Sequence, residues 1–269
     1  MRIRPPAVAG RFYPADARAL RALIAEQLGE AQPPPPEIGA RRPKAVVVPH
    51  AGYVYSGRVA ASAFSLLLRP GPPIERVILL GPAHTVPLSG MAVSSADVWE
   101  TPLGRVPLDS NCRNRLSALP HVAVDDRPHT MEHSLEVEVP FLQSVLPSGW
   151  SLVPVVVGDA EPGWVADVLD SCWGGDETLI VVSTDMSHFE ADVRAREHDR
   201  RTALSVLASR EGEIGTRDAC GARPLRGLMV ASRRHGLRPE LVSTANSADA
   251  GADPERVVGY ASFAYEPVT

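Results

Sequence analysis

The chain has 269 residues, 44% of them hydrophobic and 22% charged, with a formal net charge of −5. That balance suits a single globular core, and the lack of a basic stripe together with an aromatic content of 5% excludes nucleic acid as the main partner. Three cysteines without paired spacing (Cys112, Cys172 and Cys220) predict no disulfide framework and a reducing, cytoplasmic setting. No apolar run reaches the ~20 residues of a membrane span, and residues 1–10 lack the apolar stretch of a signal peptide, so a membrane role is not expected.

In chain order, Asp16–Leu28 has a helical pattern, and the proline run Pro33–Pro36 reads as a stiff connector to the first strand. Lys44 is the only lysine, a composition expected of a GC-rich bacterial source. Continuous apolar runs at Ala45–Pro49, Val77–Gly81, Leu152–Val157 and Leu179–Ser183 predict strands buried on both faces. Helical patterns at Gly57–Leu68, His133–Leu146, Trp164–Cys172, Asp192–Ala208 and Pro224–His235 alternate with them. Ala92–Leu108, with Thr101-Pro102-Leu103-Gly104 at its centre, predicts a hairpin, and Leu241–Ala245 and Val257–Tyr265 predict closing strands, the latter of edge or antiparallel type. The expected architecture is one α/β domain over 1–269, a mixed, mostly parallel central sheet between helices in three layers.

Polar residues cluster where the predicted strands end. Ala45–Pro49 runs into His50-Ala51-Gly52-Tyr53, Val77–Gly81 into Pro82-Ala83-His84, and Ile180–Ser183 into Thr184-Asp185-Met186-Ser187-His188. Ligands of open α/β sheets bind just beyond the carboxyl ends of strands, so three such endings predict one shared site. Two further segments can each be read in two ways. In Glu132-His133-Ser134-Leu135-Glu136, Ser134 can be a helix N-cap with the two carboxylates merely favourable at the helix start, which leaves His133 unexplained. In Asp218-Ala219-Cys220-Gly221, Asp218 can be a cap, and Cys220 is either a buried inert thiol or a thiolate-prone residue at a helix start. His121, His129, His198 and His235 read as structural or solvated, and Cys112 and Cys172 as packing residues. No phosphate-binding glycine loop and no Gly-x-Ser-x-Gly elbow is present.

These segments, with Gly10-Arg11-Phe12-Tyr13 and Pro49-His50-Ala51-Gly52-Tyr53-Val54-Tyr55-Ser56-Gly57, resemble the Memo family in order and spacing over nearly the whole chain. The resemblance implies a fold like that of the class III extradiol dioxygenases, which are non-haem iron enzymes. It implies a metal site of His50, His84 and Cys220, holding Fe(II) or copper as the transition-metal cofactor. It also implies Asp185, His188 and His133 as catalytic groups, and Phe12 in the pocket; Tyr53 and Arg223 complete the expected ligand-binding set. Thr85 and Arg223 stand where the animal members have histidines, and Arg223 adds a cation for an anionic ligand. A thiolate in place of a carboxylate is a softer ligand, so ring cleavage does not follow from the shared fold. The expected function is a metal-dependent redox protein acting on a small molecule. The competing functions are a non-catalytic module for an anionic ligand or peptide, or an accessory to a radical-SAM protein partner.

Overall fold

The structure, a computed structural model, describes residues 1–31, 35 and 38–268, so the predicted proline connector falls outside the described residues except for Pro35. Its strands are β1 (Ile3–Arg4), β2 (Ala45–Val48), β3 (Arg76–Pro82), β4 (Met91–Val93), β5 (Val98–Thr101), β6 (Gly104–Pro107), β7 (Val122–Val124), β8 (Ser151–Val157), β9 (Thr178–Ser183), β10 (His188–Glu190), β11 (Leu237–Asn246) and β12 (Val257–Pro267). Its helices are α1 (Ala17–Gly29), α2 (Tyr53–Ser65), α3 (Ser110–Leu116), α4 (Arg127–Thr130), α5 (Val139–Val145), α6 (Pro162–Cys172), α7 (Asp192–Leu207) and α8 (Ala222–Arg234).

β2, β9, β3 and β8 lie side by side and parallel at the centre of the large sheet. Their valine-rich sequences suit a pleated surface covered on both sides. Alternation along β2 shows the two faces: Ala45 and Val47 pack with α3, α6, α7 and α8, whereas Val46 and Val48 pack with α1, α2 and α5. The result is three layers, helix on sheet on helix. The sheet is mixed, as expected, with a parallel centre. Antiparallel pairing lies to either side of that centre: β4 runs antiparallel to β8, and β12 runs antiparallel to β2, β10 and β11. β12 is antiparallel but not an edge strand. The predicted hairpin is narrower than Ala92–Leu108: only β5 and β6 form it, in a small separate sheet with β1.

Two helix predictions shift for local reasons. The predicted His133–Leu146 helix begins only at Val139, after a 3-10 turn at Glu136–Glu138. Pro140 has no N–H to give to a preceding turn, so it belongs in the first turn of a helix rather than its middle. α2 begins earlier than predicted, where the Tyr53 N–H donates to the Phe12 carbonyl at 2.8 Å.

The expectation of no disulfide is overturned, although Cys112 and Cys172 do pack in the core as predicted. Cys112 on α3 and Cys172 on α6 form a disulfide, with Cα atoms 6.2 Å apart. Two helices far apart in sequence pack side by side, a proximity that spacing does not reveal. Cys220 is the free cysteine. Among the described residues, no helix is long and apolar enough to cross a membrane.

Candidate metal centre

Because β2, β9 and β3 are neighbours and parallel, their carboxyl ends open on the same edge of the sheet. His50 follows β2 by two residues, Asp185 follows β9 by two, and His84 follows β3 by two. Thr184 N–H donates to the Val48 carbonyl at 2.8 Å and holds two of these exits together. Two glycines let further segments approach. A Cβ on Gly221 would lie 2.6 Å from Thr184 Cβ and 2.8 Å from the Ser183 carbonyl, so only glycine lets the start of α8 bring Cys220 this close. A Cβ on Gly81 would lie 2.9 Å from Ser134 Oγ, and its absence admits the segment carrying Glu132 and His133.

The convergence is tight. Cys220 Sγ lies 3.2 Å from His50 Nε2, and one donor atom from each of His50, His84 and Cys220 falls within 4.8 Å of the others. The His50 and His84 rings meet edge-on with centroids 5.1 Å apart. These three residues can hold a metal ion. His50 is 2% exposed, whereas His84 is open to solvent, so the centre is closed on one side and accessible on the other. Open cavities of about 450 Å³ and about 380 Å³ share His84 and Cys220; the larger also contains His188, and the smaller Arg223.

Buried partners set the ring orientations. His84 Nδ1 lies 3.0 Å from Glu132 Oε1, and its backbone N–H donates to Glu132 Oε2 at 2.6 Å. Burial raises the Glu132 pKa, but the hydrogen bonds and charge of His84 outweigh it and hold the carboxyl at about 2. An ionised Glu132 accepts from Nδ1–H, which leaves the His84 Nε2 lone pair free. Ser183 Oγ donates to Glu138 Oε1 at 2.8 Å, so it accepts from His50 Nδ1–H, also at 2.8 Å. The Nε2 of His50 is then free as well and faces Cys220. Burial, followed by the neighbouring histidines, holds His50 far below its ordinary pKa and keeps it a neutral ligand. Sequence reasoning missed Ser183 and Glu138 and gave Glu132 only a helix-end role. The available signal was chemical: carboxylates in the apolar run Leu135–Phe141 need buried partners.

Asp185 is 5% exposed, and its Oδ1 accepts from the His50 backbone N–H at 2.8 Å. Burial lifts its pKa to about 6. His188 is oriented by the Met186 carbonyl, 2.8 Å from its Nδ1, rather than by a hydrogen bond to Asp185. Nδ1 is thus the donor, and Nε2 has no hydrogen-bond partner among the described residues. The next residue, Phe189, sits at φ 62°, a conformation costly for a non-glycine residue, within the bulge that turns His188. His133 stacks between Phe12 and His84, with centroids 4.5 and 4.8 Å away, and burial pushes its pKa down to about 4. Tyr53 does not line the pocket. Its hydroxyl donates to the Val137 carbonyl at 2.6 Å and its ring packs between Tyr13 and Phe141. Arg223 borders the smaller cavity but is paired with Asp159 at 2.8 Å.

Cys220 precedes α8, whose N-cap is Gly221; burial and then Asp185 raise the thiol to about 12, the reverse of helix-start activation. Ser134 caps no helix and donates to the Pro82 carbonyl at 2.9 Å. Asp218 caps no helix either: it accepts from Gly215 N–H at 2.6 Å and pairs with His198 at 2.7 Å. His129 is buried, His121 stacks on Trp164, His235 stacks on Trp173, and His198 pairs with Glu190 and Asp218.

The family model described as "Memo-like protein" matches residues 4–264. A MEMO1 family protein of Methanopyrus kandleri is 37% identical, with 97% of this chain and 98% of that protein covered. A MEMO1 family protein of Aquifex aeolicus is 35% identical over the same shares of the two chains. An uncharacterized Escherichia coli K12 protein of known structure aligns with a TM-score of 0.49 and 12% identity, covering 82% of this chain and 99% of that one.

Proposed function

The chain belongs to the Memo family, and from that premise we propose that it is a metal-dependent redox protein acting on a small molecule, with His50, His84 and Cys220 holding iron or copper. The observation that carries this reading is the donor set. Two imidazoles present Nε2 beside one thiol, and each imidazole is fixed through Nδ1 by a buried glutamate, directly or through Ser183. Outer partners of this kind are what metal-binding histidines require. A soft sulfur ligand favours iron or copper over hard cations such as magnesium or calcium. When bound, such a metal supplies one-electron chemistry and positions for small ligands.

The remaining roles fall to this chain's own groups. His188 offers Nε2 as a proton acceptor, while Met186 fixes its tautomer. Asp185 holds the His50 backbone in place. Neutral His133, held by Phe12, offers a hydrogen bond to a bound molecule. Cytoplasmic residence is part of the proposal. The Cys112–Cys172 disulfide counts against a reducing compartment, although its burial, with the two residues 0% and 2% exposed, slows thiol exchange once it has formed.

The test is anaerobic reconstitution with Fe(II) or Cu(I), desalting, and elemental analysis of the wild type, Cys220→Ser and His84→Gln. Near-stoichiometric metal in the wild type, lost in both variants, is the expected outcome. Equal retention in the variants would overturn the assignment. An empty wild type that still binds small anions would favour a non-catalytic binding module.

A further inference from the structure

The larger cavity beside the metal centre is bordered by His84, His188, Glu190, Thr216, Arg217 and Cys220. Its polar groups differ in how fully they are engaged. Glu190 is held by His198 Nδ1 at 2.9 Å, and His198 in turn holds Asp218 through Nε2 at 2.7 Å. Asp218 closes the turn 215–218, accepting from Gly215 N–H at 2.6 Å, while its own N–H donates to the Gly215 carbonyl at 3.0 Å. Arg217 sits on that turn, three residues before Cys220; it is solvent-exposed at the cavity's rim, as is Thr216, and no carboxylate pairs with it among the described residues. Thr216 Oγ is likewise without a hydrogen-bond partner there. Arg223, the arginine that the sequence favours for an anion, is engaged by Asp159.

We infer that Arg217, not Arg223, is the substrate-reading cation of this site, and that the substrate is a small molecule bearing a single carboxylate. The inference rests on the metal-centre reading only in placing the reacting end of that molecule beside His84 and Cys220. A guanidinium matches a carboxylate in a two-point fork, and the Thr216 hydroxyl adds a third donor. The clamp Glu190–His198–Asp218 fixes the backbone of the turn before any ligand arrives, which leaves the Arg217 side chain as the part to be ordered on binding. One unpaired arginine and the Glu190 carboxylate line the same cavity, which suits a monoanion better than a phosphate dianion, since the dianion would meet that carboxylate with twice the charge.

The test is calorimetric titration of benzoate, with neutral benzamide as control, into metal-free and metal-loaded forms of the wild type, Arg217→Gln, Arg217→Lys and Arg223→Gln. Metal content is measured on each loaded sample. Benzoate is expected to bind the wild type at least ten-fold more tightly than benzamide. Arg217→Gln is expected to lose that preference, Arg217→Lys to keep part of it, and Arg223→Gln to keep all of it, with metal content equal throughout. Unchanged benzoate affinity in Arg217→Gln, or equal binding of benzamide by the wild type, would overturn the inference. Failure of the wild type to load metal would instead count against the metal reading, and the metal-free titrations would still decide the role of Arg217.

Discussion

Replacing Glu136 by alanine tests how the amino-terminal segment is held over the metal centre. Glu136 is 0% exposed and accepts four hydrogen bonds, from Arg4 Nη1 at 2.7 Å, Ala7 N–H at 2.8 Å, Val8 N–H at 2.9 Å and Tyr13 Oη at 2.6 Å. Arg4 is itself buried, donating to the His129 and Glu132 carbonyls and lying 4.2 Å from the centre of the Trp99 ring. Leaving a buried charge without its partner costs about 3–5 kcal/mol, and each orphaned buried donor about 1–3 kcal/mol. Even with strong non-additivity, a docked segment would lose more than about 5 kcal/mol, which is comparable to the whole stability of many domains. Local release is the cheaper response. In Glu136→Ala, residues 4–13 are expected to leave the body of the protein and Phe12 to leave His133. Hydrogen–deuterium exchange should accelerate across 4–13 by about a thousandfold or more, up to the unprotected rate, while β2, β3 and β9 stay protected. The milder Glu136→Gln should show a smaller acceleration of the same segment. Unchanged exchange in 4–13, with an unchanged urea midpoint, would refute the reasoning.

Three further outcomes follow from the same geometry. Ser183→Ala removes the link between Glu138 and His50 Nδ1 and should weaken metal binding about 10–100-fold in chelator competition, with the circular dichroism spectrum retained. Burial, and then the charge of Arg4, lower the His129 pKa from 6.5 to about 4, so the folded state binds fewer protons than the unfolded chain between those values. The contribution of His129 to stability should therefore be complete above pH 6.5 and fall by about 3 kcal/mol as the pH drops towards 4, beside the contributions of His50, His133 and Asp185; His129→Gln should remove that one share in urea titrations, and an unchanged pH dependence would contradict the assignment. The Cys112–Cys172 bond spans 60 residues, so a Cys112→Ala/Cys172→Ala protein should lose about 2–4 kcal/mol, measured by urea unfolding without reductant.

The strands and the strand-end site were legible in the sequence because both depend on local pattern. Runs such as Ala45–Val48 are apolar without a break because both faces are covered, and His50, His84 and Asp185 each follow such a run by two residues. Cys220 was not legible from the residues alone. It reaches the site because Gly221 permits α8 to approach β9, a long-range contact that only family resemblance suggested beforehand. The antiparallel character of β12 was expected from the sequence, whereas that of β4 against β8 was not, because strand direction there depends on connections rather than composition. The carboxylates Glu132 and Glu136 looked like ordinary helix-start charges and Glu138 was not singled out, because the roles of all three depend on partners 45 to 132 residues away. The disulfide was hidden for the same reason.

The central claim, that two imidazoles and one thiol form a metal site, is tested most directly by X-ray absorption spectroscopy of the iron- or copper-loaded protein. The account predicts one sulfur scatterer with imidazole nitrogens in the wild type, and loss of the sulfur signal in Cys220→Ser. A shell of nitrogen and oxygen alone, unchanged by that substitution, would contradict it.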